Sequence, residues 1–219
     1  MSFDLIMPIC GLSTRYPGTI PKWALKKNGK SMLEMALSGV KGYDRLIIPY
    51  LKKHRQYILE IAPSNAVLCE IVDQTKNQCH TVYETIARIP NLNSFVVKDC
   101  DNYFEFDITN IDQDFIGYYN LDDMTWMNVK NKCYLDIKQG SLHNIVEKKV
   151  ISTTFGVGLY GFLRKIDFCR IYLYYQCEYF SEVFGHHIHY GNNVKCLQVN
   201  NYKDWGVFHD WNNANDFLT

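Results

Sequence analysis

The chain's 219 residues are enough to bury one substantial core, and no linker-like tract divides them, so a single domain over 1–219 is expected. Lysine plus arginine (23) equals aspartate plus glutamate (23), which removes any overall field for nucleic acid or an anionic membrane surface and makes an anion site a local matter. The apolar runs are strand-sized, MSFDLIMP has neither the basic start nor the apolar core of a signal peptide, and the 8 scattered cysteines form no CxxC pair, so a cytoplasmic protein with reduced thiols is expected.

In chain order, residues 3–9 read as a buried first strand. Residues 5–22, LIMPICGLSTRYPGTIPK, carry that strand into a small-residue loop holding two cations, Arg15 and Lys22. Backbone N–H groups around Gly11, Ser13 and Thr14 suit anionic oxygens, and fixed cations suit the charge that builds up in phosphoryl chemistry. A solvated turn between strand and helix has the same composition, so the loop alone leaves both readings open.

Ser31 and Glu34 form an S-x-x-E capping box ahead of a first helix. A strand at 46–49, a helix at 52–61, a strand at 66–72, a helix at 81–88 and a strand at 95–98 follow. This alternation predicts an α/β fold, a Rossmann-like mixed sheet, mostly parallel and flanked by helices, with ligands gathered beyond the carboxyl ends of the strands. Three strand exits then belong together: residues 10–22, 73–80 and 99–103. In the second half, short strands at 115–119, 133–138, 142–148 and 155–162 are expected as antiparallel additions. A helix at 165–177 and a strand at 194–199 precede the segment NYKDWGVFHDW.

Asp99-Cys100-Asp101 leaves the fourth strand at the ligand end, where hard oxygen ligands suit Mg²⁺, or Mn²⁺ by the same chemistry. Asp210 is the second carboxylate for such an ion, while the competing reading of Asp99 and Asp101 is a turn cap before Asn102. His186, His187 and His189, with Cys196, match no closed zinc spacing and read as a loop or surface cluster, a place for a homodimer contact. Lys52-Lys53-His54-Arg55 reads as a solvated helix start. Tyr172, Tyr174, Tyr175 and Tyr179 read as one aromatic helix packed on the sheet or on a partner subunit.

These residues resemble the sugar-phosphate nucleotidyltransferases, the GT-A-like group that includes capsule-associated cytidylyltransferases. LIMPICGLSTR with Pro21-Lys22 is similar to that family's L-x-x-A/P-x-x-G-x-x-x-R…P-K signature, and residues 75–82, TKNQCHTV, to its base-recognition loop. Asp99-Cys100-Asp101 resembles its metal motif, Ile145-Val146-Glu147-Lys148 its E-K motif, and residues 205–210 its W-G-T-x-x-D ending. The matches come in the family's order over nearly the whole chain.

The resemblance implies that Arg15, Lys22 and Lys148 are the catalytic cations, with Arg15 and Lys22 on the triphosphate and Lys148 on the acceptor's phosphate. It implies nucleotide binding by Pro8, Cys10, Gly11, Leu12, Ser13, Thr14, Gln78, Cys79, Thr81 and Asp99. Acceptor binding would fall to Glu147, Lys148, Gly156 and Tyr160, and Mg²⁺ to Asp101 and Asp210. The implied partners are a nucleoside triphosphate, with CTP favoured over UTP or dTTP, and a phosphorylated small molecule, with no nucleic acid and no membrane. Glutamine phosphate, as in capsular phosphoramidate synthesis, is the leading acceptor, beside a hexose 1-phosphate and phosphocholine. Four positions depart from the pattern. Ser13 and Asn77 stand for glycines, Val207 for a threonine, and Trp23 for a smaller residue; Asn77 is expected to replace glycine by tolerating a left-handed backbone.

Two other classes remain. A metal-dependent GT-A glycosyltransferase would use the same Asp99-x-Asp101 pair, although the Arg15 and Lys22 loop suits a departing pyrophosphate better. A silent nucleotide-binding module would bind without turnover.

Overall fold

The computed structural model describes residues 2–124 and 128–214. Its first half alternates as expected: β1 (Asp4–Ile6), the small hairpin β2 (Lys26–Lys27) and β3 (Lys30–Ser31), α1 (Met32–Ser38), β4 (Val40–Lys41), β5 (Leu46–Leu51), α2 (Arg55–Ile61), β6 (Val67–Ile71), α3 (Gln78–Arg88) and β7 (Phe95–Lys98). The second half runs β8 (Asn102–Asp107), β9 (Phe115–Asn120), β10 (Cys133–Lys138), β11 (Ser141–Glu147), β12 (Thr154–Phe162), α4 (Lys165–Tyr175), α5 (Phe180–His189), β13 (Lys195–Gln198), β14 (Asn200–Asp204) and α6 (Phe208–Asn213).

Nine strands form the main sheet in the order β10-β11-β13-β9-β12-β7-β1-β5-β6. β6, β5, β1 and β7 are mutually parallel, and their near-continuous apolar sequences, LIIPYL in β5 and FVVK in β7, are what burial on both faces requires. β12 then pairs antiparallel with both β7 and β9. Parallel pairing returns only at β13 with β9, so the sheet is mixed, with a larger antiparallel share than the alternating first half suggests. Helices cover it, with one apolar cluster around Trp23, Phe104, Phe115 and Trp205 and a second around Phe162, Phe168, Phe180 and Phe184. Each fully buried ring of this size stabilises the fold by about 1.5–3 kcal/mol relative to exposure.

The capping box forms at the N-terminus of α1: Ser31 Oγ accepts from the Glu34 N–H at 3.2 Å, and the Glu34 carboxylate accepts from the Ser31 N–H at 2.7 Å. The expected helix at 52–61 is a 3-10 turn over Lys52–His54 followed by α2. α3 begins three residues before the expected 81, because Asn77 caps it.

The histidine cluster is not a loop. It is the last turn of α5, whose Phe180, Val183, Phe184 and His187 recur at i, i+3, i+4 and i+7 and are buried. Nε2 of His187 donates to Asp114 at 2.7 Å, His186 stacks on Tyr175, and Cys196 is buried elsewhere in the sheet. Nor do the four tyrosines share a helix: α4 ends at Tyr175, Gln176 takes the left-handed conformation at φ +54°, and Tyr179 stands before α5.

A second sheet, β14-β8-β4, matters most for the cleft described below. β8 turns back directly from β7, and β14 pairs with it antiparallel so that Asp204 lies opposite Asn102. No helix among the described residues is long and apolar enough to cross a membrane.

Candidate active site

The loop after β1 is braced by its own side chains. Ser13 adopts φ +54°, the backbone region that favours glycine, and its Oγ accepts a hydrogen bond from the Lys22 N–H at 3.2 Å. The Tyr16 N–H closes the turn on the Ser13 carbonyl at 2.9 Å, and the Tyr16 hydroxyl donates to the Trp205 carbonyl. Serine at position 13 therefore keeps the strained turn and adds a tie that glycine lacks. Trp23, 1% exposed, packs into the core and anchors the loop's exit, which leaves the Lys22 side chain directed into the cleft.

Lys22 Nζ donates to Asp101 Oδ2 at 2.5 Å, and Arg15, half exposed, lies 3.9 Å from the same oxygen. Burial alone would raise the Asp101 pKa, but the Lys22 charge and hydrogen bond outweigh it and hold the carboxyl below its ordinary range. Its neighbour moves the other way: burial and the charge of Asp101 push the Asp99 carboxyl up, against a 2.5 Å hydrogen bond from Gln78 Nε2. Gly158, at φ +73°, lets β12 pass this pair, since a Cβ there would collide with the Asp99 carboxylate. Beneath both, the wholly buried Lys98 donates to the Asp99 carbonyl at 3.0 Å and to the Asn102 carbonyl and side-chain oxygen at 3.1 and 2.7 Å, stapling the turn that presents the two aspartates.

The β14–β8 register brings in two residues that sequence reasoning missed. Asp204 enters the cleft beside Asp101: a Cβ at Gly206 would lie 3.2 Å from Asp204 Oδ1, 3.5 Å from Arg15 Nη1 and 3.9 Å from Asp101 Oδ2. Lys132 Nζ donates to Asp204 Oδ2 at 2.8 Å and to the Tyr202 hydroxyl at 2.6 Å. The available signal for Asp204 was its place immediately before Trp205-Gly206; for Lys132 there was none. Asp210, on α6, also lines the cleft, and partial burial with the Asp204 charge raises its pKa.

In the loop before α3, Thr75 and Thr81 share a buried hydroxyl pair at 2.7 Å and Gln74 Nε2 donates to the Cys10 carbonyl at 2.7 Å, tying that loop to the loop after β1. Asn77 does not replace glycine by going left-handed. Its φ is −161°, and its side chain caps α3 by accepting from the His80 N–H at 2.8 Å. Gln78 and Thr81, three apart on the helix, face the cleft, whereas Cys79 is rotated into the core at 0% exposure and does not line it.

On the far side of the cleft, Lys148 follows the β11 strand directly, at φ +56°, and its Nζ donates to the Tyr179 hydroxyl at 2.5 Å. Glu147 accepts from Ser181 Oγ at 2.6 Å, and Tyr160 stacks on Phe180 with ring centres 4.9 Å apart. Tyr179 is a further cleft residue, assigned from sequence to a packing role. With Cys79 excepted, every residue expected at the nucleotide, acceptor and metal positions lines one cleft of about 620 Å³.

The carboxylates of Asp101, Asp204 and Asp210 are hard oxygen donors that fit Mg²⁺ or Mn²⁺. Among the described residues no group of three or more His, Cys, Asp and Glu side chains is assembled as a metal cage.

No protein-family profile and no curated protein sequence matches the chain. Solved structures do. The inositol-1-phosphate CTP transferase of T. maritima superposes with a TM-score of 0.77 at 13% identity over 95% of this chain and 91% of its own. The nucleoside-diphosphate-sugar pyrophosphorylase of Vibrio cholerae gives 0.75 at 18% over 99% of each chain, and the CTP:phosphocholine cytidylyltransferase of Streptococcus pneumoniae 0.70 at 15% over all of both. The fold is that of the sugar-phosphate nucleotidyltransferases. The nucleotidyltransferase fold accounts for the mixed sheet, and the cleft lies where the parallel strands β1, β6 and β7 release their following loops.

Proposed function

We propose that this protein is a nucleotidyltransferase that joins the nucleoside monophosphate of a triphosphate to a phosphorylated small acceptor and releases pyrophosphate. One observation carries the reading: a cleft with Arg15 and Lys22 on one strand exit, Asp101 on the next and Lys148 across from them, at the end of the β11 strand. CTP is the proposed nucleotide, supported by the residue pattern 75–82 and by two neighbours whose names specify CTP. The proposed acceptor is glutamine phosphate, in capsular phosphoramidate synthesis, ahead of a sugar 1-phosphate or phosphocholine; the protein is assigned to the cytoplasm.

A phosphomonoester carries nearly two negative charges at neutral pH, so its oxygen attacks the α-phosphorus without a general base. The work of the site is electrostatic. Arg15 and Lys22 neutralise the departing β- and γ-phosphates, Lys148 draws in the acceptor phosphate, and Gln78 with Thr81 orients the nucleotide. Asp101, with Asp204 or Asp210, would hold a Mg²⁺, which when bound would add charge stabilisation at the transferring group.

The experiment is incubation with each nucleoside triphosphate, Mg²⁺ and a panel of phosphorylated acceptors, scored by pyrophosphate release and mass spectrometry of CMP-linked products. Hydrolysis or transfer of a preformed nucleotide sugar, without pyrophosphate, would instead identify the glycosyltransferase reading.

A further inference from the structure

Lys132 is an ammonium in an unusual position. Its side chain is 13% exposed and lines the cleft, and its partner Asp204 is 14% exposed. Its carbonyl accepts from the Lys148 N–H at 2.8 Å, so its backbone is the neighbour of the acceptor-side lysine. Its side chain reaches the other way, to Asp204, which shares the neighbourhood of Gly206 with Asp101 and Arg15. Lys132 thus spans the ground between the acceptor cation and the carboxylates. Arg15 and Lys22 stand on the loop after β1 instead.

Asp101 and Asp204 are each capped by a lysine, Lys22 at 2.5 Å and Lys132 at 2.8 Å. A buried carboxylate with no cation is costly, and the same ammonium groups, with Arg15 and Lys148, are the positive charges that an incoming phosphate would meet in this cleft. We propose that Lys132 is a phosphate-binding cation of this cleft: it holds Asp204 in the nucleotide-free protein and turns to the acceptor's phosphate when that enters beside Lys148. Its release leaves Asp204 free for a divalent cation. The Tyr202 hydroxyl, 2.6 Å from Nζ, keeps the ammonium in reach of both partners. The inference rests on the nucleotidyl-transfer reading for the acceptor's identity, but not for the exchange of partners.

The test uses the intact protein and two probes that need no turnover, inorganic phosphate and Mn²⁺, by titration calorimetry. Lys132→Met should weaken phosphate binding about ten- to hundredfold, the range of a charge-assisted hydrogen bond, and should tighten Mn²⁺ binding by removing its competitor. Lys132→Arg should restore phosphate binding. Asp204→Asn retains the shape and the Gly206 contact yet frees Lys132, so it should strengthen phosphate binding while weakening Mn²⁺ binding. Phosphate affinity unchanged in a folded Lys132→Met protein, or unchanged in Asp204→Asn, overturns the proposal. Should Lys132→Met not fold, the Asp204→Asn titration decides alone. Absence of pyrophosphate release by the wild type with every nucleotide and acceptor would remove the nucleotidyl-transfer reading and leave these titrations standing.

Discussion

Asp101 concentrates the chemistry of the cleft in one side chain, because Lys22 and Arg15 both address its Oδ2. Asp101→Asn removes the charge with almost no change of shape and should lower kcat by about 10²–10³ or more, and should also lower Tm because the Lys22 ammonium loses its partner; unchanged Mg²⁺-dependent turnover would end its metal assignment. Parallel Asp204→Asn and Asp210→Asn variants identify the second carboxylate by which one loses Mn²⁺ affinity with Asp101→Asn. Lys148→Ala should raise the acceptor KM about tenfold and leave the nucleotide KM unchanged, read from initial rates with each substrate varied. At this scale the sequence was most legible where a residue lies in the loop that leaves a parallel strand, as Arg15, Lys22, Asp99 and Asp101 do. Cys79 misled because the order along a motif does not fix the phase of the helix, which Asn77 sets by starting α3 at Gln78. Asp204 was passed over in favour of Asp210 because its proximity to Asp101 depends on a strand pairing between residues about a hundred apart.

The elements follow the same division. β7 and β10 lie at their expected bounds, since a run of apolar β-branched and aromatic residues between polar ends leaves little choice. α5 was invisible because its polar face includes histidine and glycine, poor helix formers, and it is settled by packing on β11 and α4, the Glu182 carboxylate at its start and the Asp114 bond to His187. His187→Ala should therefore destabilise the protein by about 1–3 kcal/mol, seen as a lower urea midpoint, by leaving the part-buried Asp114 Oδ2 without its partner and opening a void where the buried imidazole stood. Ser31→Ala should cost about 1 kcal/mol through the lost cap of α1, with no change in nucleotide affinity by calorimetry, because α1 contributes nothing to the cleft lining. A loss of affinity as large as the loss of stability would mean that α1 positions the loop after β1.

Across the whole molecule, the eight cysteines are free and seven of them are buried. Burial pushes the thiols of Cys10, Cys133 and Cys196 up to about 12 from an ordinary 9.0. Their folded pKa values are raised, so the unfolded chain ionises first; the stability they contribute is whole below pH 9 and is lost as pH rises from 9 towards 12. Tm should fall over that window, and these thiols should resist a thiol reagent at pH 8 until denaturant is added. Invariance of Tm between pH 9 and 11 would show that these sites are solvated. The alternating first half was legible as a parallel, helix-covered sheet; the antiparallel second half was legible as strands but not as an order, because pairing partners such as β9 with β12 and β13 are set by three-dimensional packing.

The hydroxyl of Tyr16 is satisfied by the carbonyl of Trp205, and Asp204 reaches Asp101 only through β14. During synthesis the loop after β1 precedes its brace and the neighbouring carboxylate by almost two hundred residues. A ribosome-bound chain stopped before residue 200 has its parallel strands but lacks that brace, so nucleotide protection against proteolysis should set in only once residues 200–205 have emerged and paired.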